Sequence, residues 1–280
     1  MASTNPRDGY LLGRDILAES RLYAQHYLFT ERAGGLLNAD IVKDVGGKTS
    51  MEILDVGCGN GIWALDVAQA YPGTKVVGTD ISSAQFPPAW TWPKDCVFTT
   101  VDVLEPVPQQ YVGRFDVANA RMVAGNLHGC DMNIFLGHLL RMLKPGGWIQ
   151  CLDLSLPVVC AHDDEDPQAQ TTWKRPPTIA TQLLRISTSI AWLEDLPTRM
   201  KSGGFAVVRE YDCPPRRSQF RHETVNFLSA MVEMSRGVRS IMAGDIVDEF
   251  DEAVEELHRD VRDGRLFHVG LKVRVGKKAS

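Results

Sequence analysis

From residue 51 onward, short runs of aliphatic and β-branched residues alternate with segments of helical periodicity. Repeated alternation of strand and helix is typical of right-handed βαβ units that build a parallel sheet. The predicted strands of this sheet are, in chain order, MEILDVG, KVVGTD, CVFTTVD, FDVANA and WIQCLDL. The pattern therefore predicts an α/β protein with a Rossmann-like, doubly wound and mostly parallel sheet.

The second half of the chain departs from this alternation. A polar stretch follows the fifth strand, and the helix predicted after it carries an apolar stripe between Ile179 and Leu193. Two further strands, FAVVREYD and LFHVGLKVRV, are separated by two helical patterns. We expect these strands to close a seven-stranded sheet as an antiparallel pair, with the last strand antiparallel to the others.

The same pattern divides the chain into two parts. Residues 1–48 are expected to form an N-terminal helical cap, because the alternation starts only after them. Residues 49–280 are expected to form the α/β domain, with C-terminal helical insertions at about 155–195 and 213–263.

Composition limits the classes of partner. The formal net charge of −5 argues against nucleic-acid binding, because neutralising phosphates needs a basic surface. No segment approaches the ~20 apolar residues of a membrane span, and the six cysteines form no CxxC pair. The acidic run HDDED lacks the glycine and final glutamate of a calcium loop. We expect a cytoplasmic protein with a small-molecule partner, no nucleic-acid or membrane partner, and no metal.

The stretch DVGCGNGIW, residues 55–63, indicates a ligand site between the first strand and the first helix of the sheet. Its glycines match neither the dinucleotide fingerprint nor the Gly-Lys-Ser/Thr phosphate loop. The carboxylate of Asp55 would repel a pyrophosphate, but it would stabilise a ligand that bears an ammonium and a sulfonium. S-adenosylmethionine is such a ligand.

Two more carboxylates end predicted strands. Asp80 ends the second strand, where a carboxylate can accept hydrogen bonds from both ribose hydroxyls. Asp102 ends the third strand, where it can accept from an adenine amino group. Either residue alone could instead cap a neighbouring helix or turn. Three acidic strand ends in order favour the nucleoside interpretation.

These motifs resemble those of class I S-adenosylmethionine-dependent methyltransferases. The resemblance covers residues 52–153 and rests on ILDVGCGNGIWALDVA, VVGTDIS, TTVDVLEP and MLKPGGWIQ. Within that superfamily, ESRLYAQHYLF and FDVANARMVAGNL are similar to the fungal LaeA-like branch of secondary metabolism. From residue 155 onward only the arrangement of elements agrees, so the resemblance leaves the acceptor of the methyl group open.

The resemblance also implies roles for individual residues. S-adenosylmethionine would be the cofactor and S-adenosylhomocysteine the product. The methionine part would be surrounded by Asp55, Gly57, Cys58 and Gly59, and the ribose would be held by Asp80 and Ile81. The adenine would be contacted by Asp102 and Val103, and Asn119 and Arg121 would lie at the edge of the methyl-transfer site.

Two histidines are candidates for a catalytic base, namely His26 and His128, because both are predicted near the carboxyl edge of the sheet. The competing interpretations are a packed helix residue for His26 and a solvated loop residue for His128. A base is not obligatory, since a sulfonium is already an activated donor and positioning supplies about 7 to 11 kcal/mol.

The sequence favours an enzyme that methylates oxygen, or nitrogen, of a small-molecule secondary metabolite. Oxygen comes first because hydroxyl and carboxyl acceptors are common in such pathways. A nuclear regulator of the LaeA kind is an alternative, but such regulators usually have a longer N-terminal extension than this chain. The same fold is also compatible with a protein methyltransferase, and with an enzyme that keeps the cofactor and catalyses a rearrangement.

Overall fold

The computed structural model describes residues 10, 12–123, 126–127, 131–162, 171–172, 190–241 and 245–280. Helices and strands alternate as the sequence predicted. The strands are β1 (Glu52–Val56), β2 (Lys75–Asp80), β3 (Cys96–Thr100), β4 (Phe115–Arg121), β5 (Leu143–His162), β6 (Thr171–Thr172), β7 (Phe205–Asp212) and β8 (Leu266–Lys278). The α-helices are α1 (Ile16–Arg32), α2 (Ala39–Val45), α3 (Ile62–Ala70), α4 (Asp131–Met142), α5 (Leu196–Ser202), α6 (Phe220–Ile241) and α7 (Asp245–Arg262).

Seven of the strands form one mixed sheet in the order β3-β2-β1-β4-β5-β8-β7, and the short strand β6 pairs with β5 beside this order. Neighbours among β1 to β5 are parallel, and β8 runs antiparallel to both β5 and β7. The predicted doubly wound, mostly parallel sheet of seven strands with an antiparallel last strand is confirmed. Successive strands are added in one direction from β1 to β3 and in the opposite direction from β4 onward. This switch between the parallel strands β1 and β4 creates a crevice at their carboxyl ends.

The fifth strand is longer than predicted. WIQCLDL ends at Leu154, whereas β5 continues to His162 and pairs there with the two-residue strand β6. Pro157 lacks a backbone N–H and normally interrupts a strand. The pairing of β5 with β8 shifts register between Leu154 and Val159, so a bulge carries the strand past the proline.

Two apolar layers cover the sheet. One face packs on α4 and α5, and its core includes Leu54, Phe135 and Met200. The other packs on α1, α2 and α3, with Phe29 and Trp63 among its buried side chains. Strand residues of β1 and β4 are buried on both faces, as expected for parallel strands between helical layers.

Part of the predicted C-terminal region lies outside the described residues. Of the helix expected over residues 179–193, the described part is a 3₁₀ turn at Ile190–Leu193. The division into a cap of residues 1–48 and a domain of residues 49–280 stays a prediction. Across the described ranges, no helix combines the length and apolar character needed to cross a membrane.

Helix α1 begins at an N-cap, Asp15, whose side chain accepts hydrogen bonds from the backbone N–H groups of Leu17 and Ala18. Its buried stripe is basic rather than purely apolar: it includes Arg21, His26 and Arg32. Each of these side chains meets a carboxylate on another helix.

Two of these contacts join α1 to α6. Arg21 Nε lies 2.9 Å from Glu233 Oε1, and Arg32 Nη1 lies 3.1 Å from Glu223 Oε2, with all four side chains buried. Because the later arginine pairs with the earlier glutamate, α1 and α6 run antiparallel. Arg32 also donates to the carbonyl oxygens of Cys213 and Val269. The N-terminal and C-terminal parts of the chain are thus joined by buried charge.

Removing one charge of such a pair should be costly, because its partner remains buried without compensation. We expect Glu223→Ala to lower the free energy of unfolding by about 3 to 5 kcal/mol in urea denaturation. The exposed Glu252 on α7 provides a matched control, and Glu252→Ala should change stability by about 0.5 kcal/mol or less. A loss from Glu223→Ala no larger than that of the control would contradict this account of the α1–α6 contact.

Candidate active site

The glycine turn between β1 and α3 has the left-handed backbone that glycine permits. Gly57, Gly59 and Gly61 have φ values of +67°, +54° and +73°. A β-carbon at Gly61 would lie 2.5 Å from the Phe98 ring, and one at Gly57 would lie 2.9 Å from Val123 Cγ1. At Gly59 the nearest atom would be 4.0 Å away. Close packing therefore excludes a side chain at Gly57 and Gly61, whereas a β-carbon at Gly59 would make only an ordinary van der Waals contact with Leu22 Cδ1.

Asp80, the last residue of β2, holds the glycine turn. Its Oδ2 accepts a hydrogen bond from Gly59 N at 2.9 Å, and its Oδ1 accepts from Ser82 N at 3.0 Å. A carboxylate offers about four acceptor positions, so these two bonds are compatible with further donors from a ligand. The half-buried side chain stands at the strand end, where the sequence predicted a ribose contact.

Asp55 begins a row of polar side chains across the middle of the sheet. Asp55, Asn119 and Gln150 are register partners on β1, β4 and β5. Asn119 Nδ2 donates to Asp55 Oδ1 at 2.8 Å, and Gln150 Nε2 donates to Asn119 Oδ1 at 3.1 Å. Gln150 also bonds the backbone of Leu36 and Asn38, just before α2. The row fixes the orientation of the Asp55 carboxylate.

Burial raises the pKa of Asp55 to about 7, and the neighbouring charge of Asp80 acts in the same direction. The hydrogen bond from Asn119 and the charge of Arg121 oppose the rise. A carboxyl group that ionises near neutrality at the end of a central strand is characteristic of a functional site.

A second polar chain leads from α3 through α1 to the end of β4. Asp66 Oδ2 lies 2.9 Å from His26 Nε2, and His26 Nδ1 lies 2.9 Å from Arg121 Nη1. A guanidinium can only donate, so Nδ1 is the acceptor and Nε2 carries the proton that is donated to Asp66. Burial and the charge of Arg121 lower the pKa of His26 below its usual value. The ring is therefore neutral, with both nitrogens engaged.

The predicted adenine contacts lie beyond the third strand. Asp102 Oδ1 accepts from Leu104 N at 2.9 Å, which closes a local turn. The carbonyl oxygen of Val103 bonds His138 Nδ1 at 2.7 Å. Asp102 thus makes the local turn contact that was the alternative to a ligand contact. Its contact with adenine stays a prediction.

The remaining candidates differ in their surroundings. Cys58 is buried, its backbone N donates to Thr79 O, and burial holds the pKa of its thiol well above the ordinary value. Ile81 is half-buried directly after β2. His128, the other proposed base, lies outside the described residues.

Sequence reasoning missed three residues of this region. Asp66 is the one charged residue of a mostly apolar helix, and Gln150 is a polar residue within a buried part of a strand; both patterns are visible in the sequence. Met122, directly after Arg121, has a positive φ of 55°, which is uncommon for a side chain of this type. Its backbone N donates to Leu152 O, which fixes the chain direction beyond β4.

The order of the sheet and the site at its switch point define the class I methyltransferase fold. Residues 24–210 match the family model described as a methyltransferase domain. This match spans more than half of the chain, so the protein belongs to the methyltransferase-domain family, as its motifs predicted.

Curated relatives of this chain come from fungi. The chain is 34% identical over 150 residues to the N-methyltransferase verN of Clonostachys rogersoniana, an alignment that covers 53% of this chain and 51% of that protein. It is 30% identical over 175 residues to the secondary metabolism regulator laeA of Aspergillus flavus, covering 62% and 44%. The chain therefore spans about half the length of the curated relatives that it matches.

A solved structure shows the same fold. Phosphoethanolamine N-methyltransferase 2 of Haemonchus contortus, in complex with S-adenosyl-L-methionine, superimposes with a TM-score of 0.50 over 95% of this chain and 60% of that protein. The sequence identity is 15%, so this likeness concerns the fold alone.

We expect Asp55→Asn to stabilise the folded protein at pH 8. The pKa of Asp55 is about 7 in the folded protein, above its ordinary value of 3.8. At a pH between these two values the wild type takes up a proton on folding, so its free energy of unfolding falls as the pH rises through this range. Asparagine keeps a partner for Asn119 and has no charge to bury. The gain should be about 2 to 4 kcal/mol at pH 8 and should shrink toward pH 4.

Urea denaturation between pH 4 and 8 measures this difference. The exposed Asp263 is the matched control, because Asp263→Asn should leave the pH dependence of the wild type unchanged. A gain that does not vary with pH would show that Asp55 is not the group responsible.

Proposed function

We propose that this protein is an S-adenosylmethionine-dependent methyltransferase that acts on a small-molecule secondary metabolite. The observation that carries the proposal is the buried carboxylate of Asp55 beside a glycine turn that Asp80 holds. This arrangement presents negative charge where a nucleotide fold would present a phosphate site. A cofactor with an ammonium and a sulfonium suits that charge, whereas a pyrophosphate does not.

The described residues fit this cofactor. A β-carbon at Gly59 would have no neighbour nearer than Leu22 Cδ1 at 4.0 Å, so the surrounding side chains do not crowd this part of the turn. Asp55 provides a carboxylate for the ammonium of the methionine part, and Asp80 provides acceptors for ribose hydroxyls. Asp102 and Val103 lie where adenine contacts are expected, but both also serve the local turn.

When bound, S-adenosylmethionine supplies a methyl group on positively charged sulfur: a lone pair of the acceptor's oxygen or nitrogen forms the new bond to carbon, the S–CH₃ bond breaks with its electrons kept by sulfur, and the acceptor's proton passes to solvent or a base. The contribution of this chain is to bind, orient and exclude water. His26 is poorly suited to take the proton, because Arg121 already donates to its acceptor nitrogen. His128 remains the proposed base.

The acceptor atom is better assigned to nitrogen than to oxygen. Several fungal relatives, verN among them, are named N-methyltransferases, which supports nitrogen ahead of the oxygen that general pathway chemistry favoured. Amine and amide acceptors should therefore be screened first, followed by hydroxyl and carboxyl compounds. A product whose mass is unchanged would instead indicate a rearrangement.

A regulatory role is the second candidate, favoured by the similarity to the secondary metabolism regulator laeA. The two functions differ in the effect of deleting the gene. Loss of one methyl group from one product supports the tailoring enzyme, whereas loss of whole metabolite families together with nuclear location supports the regulator.

The cofactor assignment is tested by isothermal titration with S-adenosylmethionine and S-adenosylhomocysteine, with NAD as the phosphate-bearing control. We expect binding of the first two ligands and none of NAD. Binding of NAD alone would reverse the interpretation of the glycine turn.

Asp80→Asn should weaken binding of S-adenosylmethionine roughly tenfold to a hundredfold, because a charged acceptor of ribose hydroxyls is lost. Asp212→Asn is the matched control, since that side chain is 82% exposed at the far edge of the sheet. Titration of the two folded variants measures the effect. Equal affinities for the cofactor would remove Asp80 from the binding site.

A further inference from the structure

Asp55 and Arg121 present opposite charges at neighbouring strand ends. Asn119 on β4 is the register partner of Asp55 on β1, and Arg121 follows two residues later. Alternation along a strand puts Asn119 and Arg121 on the same face of the sheet. The two charges are close enough for each to shift the pKa of the other. A carboxylate and a guanidinium in this arrangement complement the ammonium and carboxylate of an α-amino acid.

Within the described residues, Arg121 forms no ion pair. In the part of the chain that is described, no carboxylate oxygen lies within 4.0 Å of its guanidinium, although Asp55 and Asp66 act on it from further away. Its hydrogen bond goes to a neutral nitrogen of His26. The positive charge is therefore oriented by a neutral group and is not neutralised by it.

His26 can hold Arg121 in this way because Asp66 fixes the tautomer of the ring. The bond from Nε2 to Asp66 leaves Nδ1 unprotonated and directed at Arg121. The His26 side chain is fully buried, and its ring meets the Tyr27 ring edge-on at 4.9 Å. Among the described elements packed around it, the charged or titratable groups in contact with it are Asp66, Arg121 and Tyr27.

We propose that Arg121 binds the carboxylate of the cofactor's amino-acid part, and that His26, locked by Asp66, is the positioning residue that holds its guanidinium. The inference rests on the proposed function, since it concerns the same cofactor. It assigns the N-terminal helix α1 a part in cofactor recognition that acts through Arg121. Both charged groups on the α-carbon of the methionine part would then be recognised, the ammonium by Asp55 and the carboxylate by Arg121.

Decarboxylated S-adenosylmethionine separates these two contacts, because it keeps the ammonium and the sulfonium but lacks the carboxylate. By titration, Arg121→Met should weaken binding of S-adenosylmethionine about tenfold to a hundredfold and leave binding of the decarboxylated compound within about threefold. Arg141→Met, at an exposed position on α4, is the matched control and should alter neither affinity. An equal loss for both ligands would overturn the inference.

The role of His26 is tested by two amide variants. Asparagine in place of His26 offers its Oδ1 near the position of Nδ1 and can accept from Arg121, whereas glutamine offers its amide near Nε2, toward Asp66. His26→Gln should show the same carboxylate-specific loss as Arg121→Met, and His26→Asn should recover most of it. Equal affinities in the two variants would overturn the positioning role.

Asp66→Ala is a second test of the positioning role of His26. The variant should fold, because the Asp66 side chain is 27% exposed and alanine has a high helix propensity. In ¹⁵N NMR spectra, wild-type His26 should be neutral and protonated on Nε2, and the variant should show a mixture of tautomers with a severalfold, carboxylate-specific loss of affinity. An unchanged tautomer with unchanged affinity would overturn the inference.

If the wild type binds neither S-adenosylmethionine nor its decarboxylated form, the proposed function fails as well, whereas binding of both ligands with equal affinity overturns the inference alone.

Discussion

A carboxylate buried in the middle of the sheet is the constraint on which the rest of this site depends. Asp55 is the second-last residue of β1 and has almost no access to water, so its charge is destabilising unless neighbouring groups stabilise it. The side chains beside it meet that requirement: Asn119 and Gln150 extend a polar row to the backbone before α2. These neighbours do not restore the ordinary pKa of Asp55, which remains about 7. The ionised carboxylate is therefore destabilised in the folded chain, and a bound cation would stabilise it.

Local signals made the first half of the fold predictable. The strands from β1 to β4 are short aliphatic runs that end at glycine or at polar residues, and their type depends little on distant parts of the chain. The carboxyl edge of a parallel sheet then brings Asp55 and Asp80 together. Their placement followed from strand order, without any knowledge of side-chain contacts.

The remaining features depend on contacts between distant residues. His26 and Arg121 are 95 positions apart, and no periodicity in the sequence connects them. The extension of β5 beyond Pro157 relies on pairing with β8, more than a hundred residues later in the chain. Gln150 and Asp66 were visible only as polar residues in apolar elements, a signal that marks a buried partner but does not name it.

Helix α1 links these distant parts through charge rather than through an apolar stripe. Its three buried basic side chains meet Glu233 and Glu223 on α6 and Asp66 on α3. Such contacts are directional, so they fix the helix more narrowly than aliphatic packing would. The same helix that positions Arg121 is therefore held by the C-terminal half of the chain. A substitution in α6 that displaces α1 would also displace His26, so the C-terminal helices and the predicted cofactor site share one structural support.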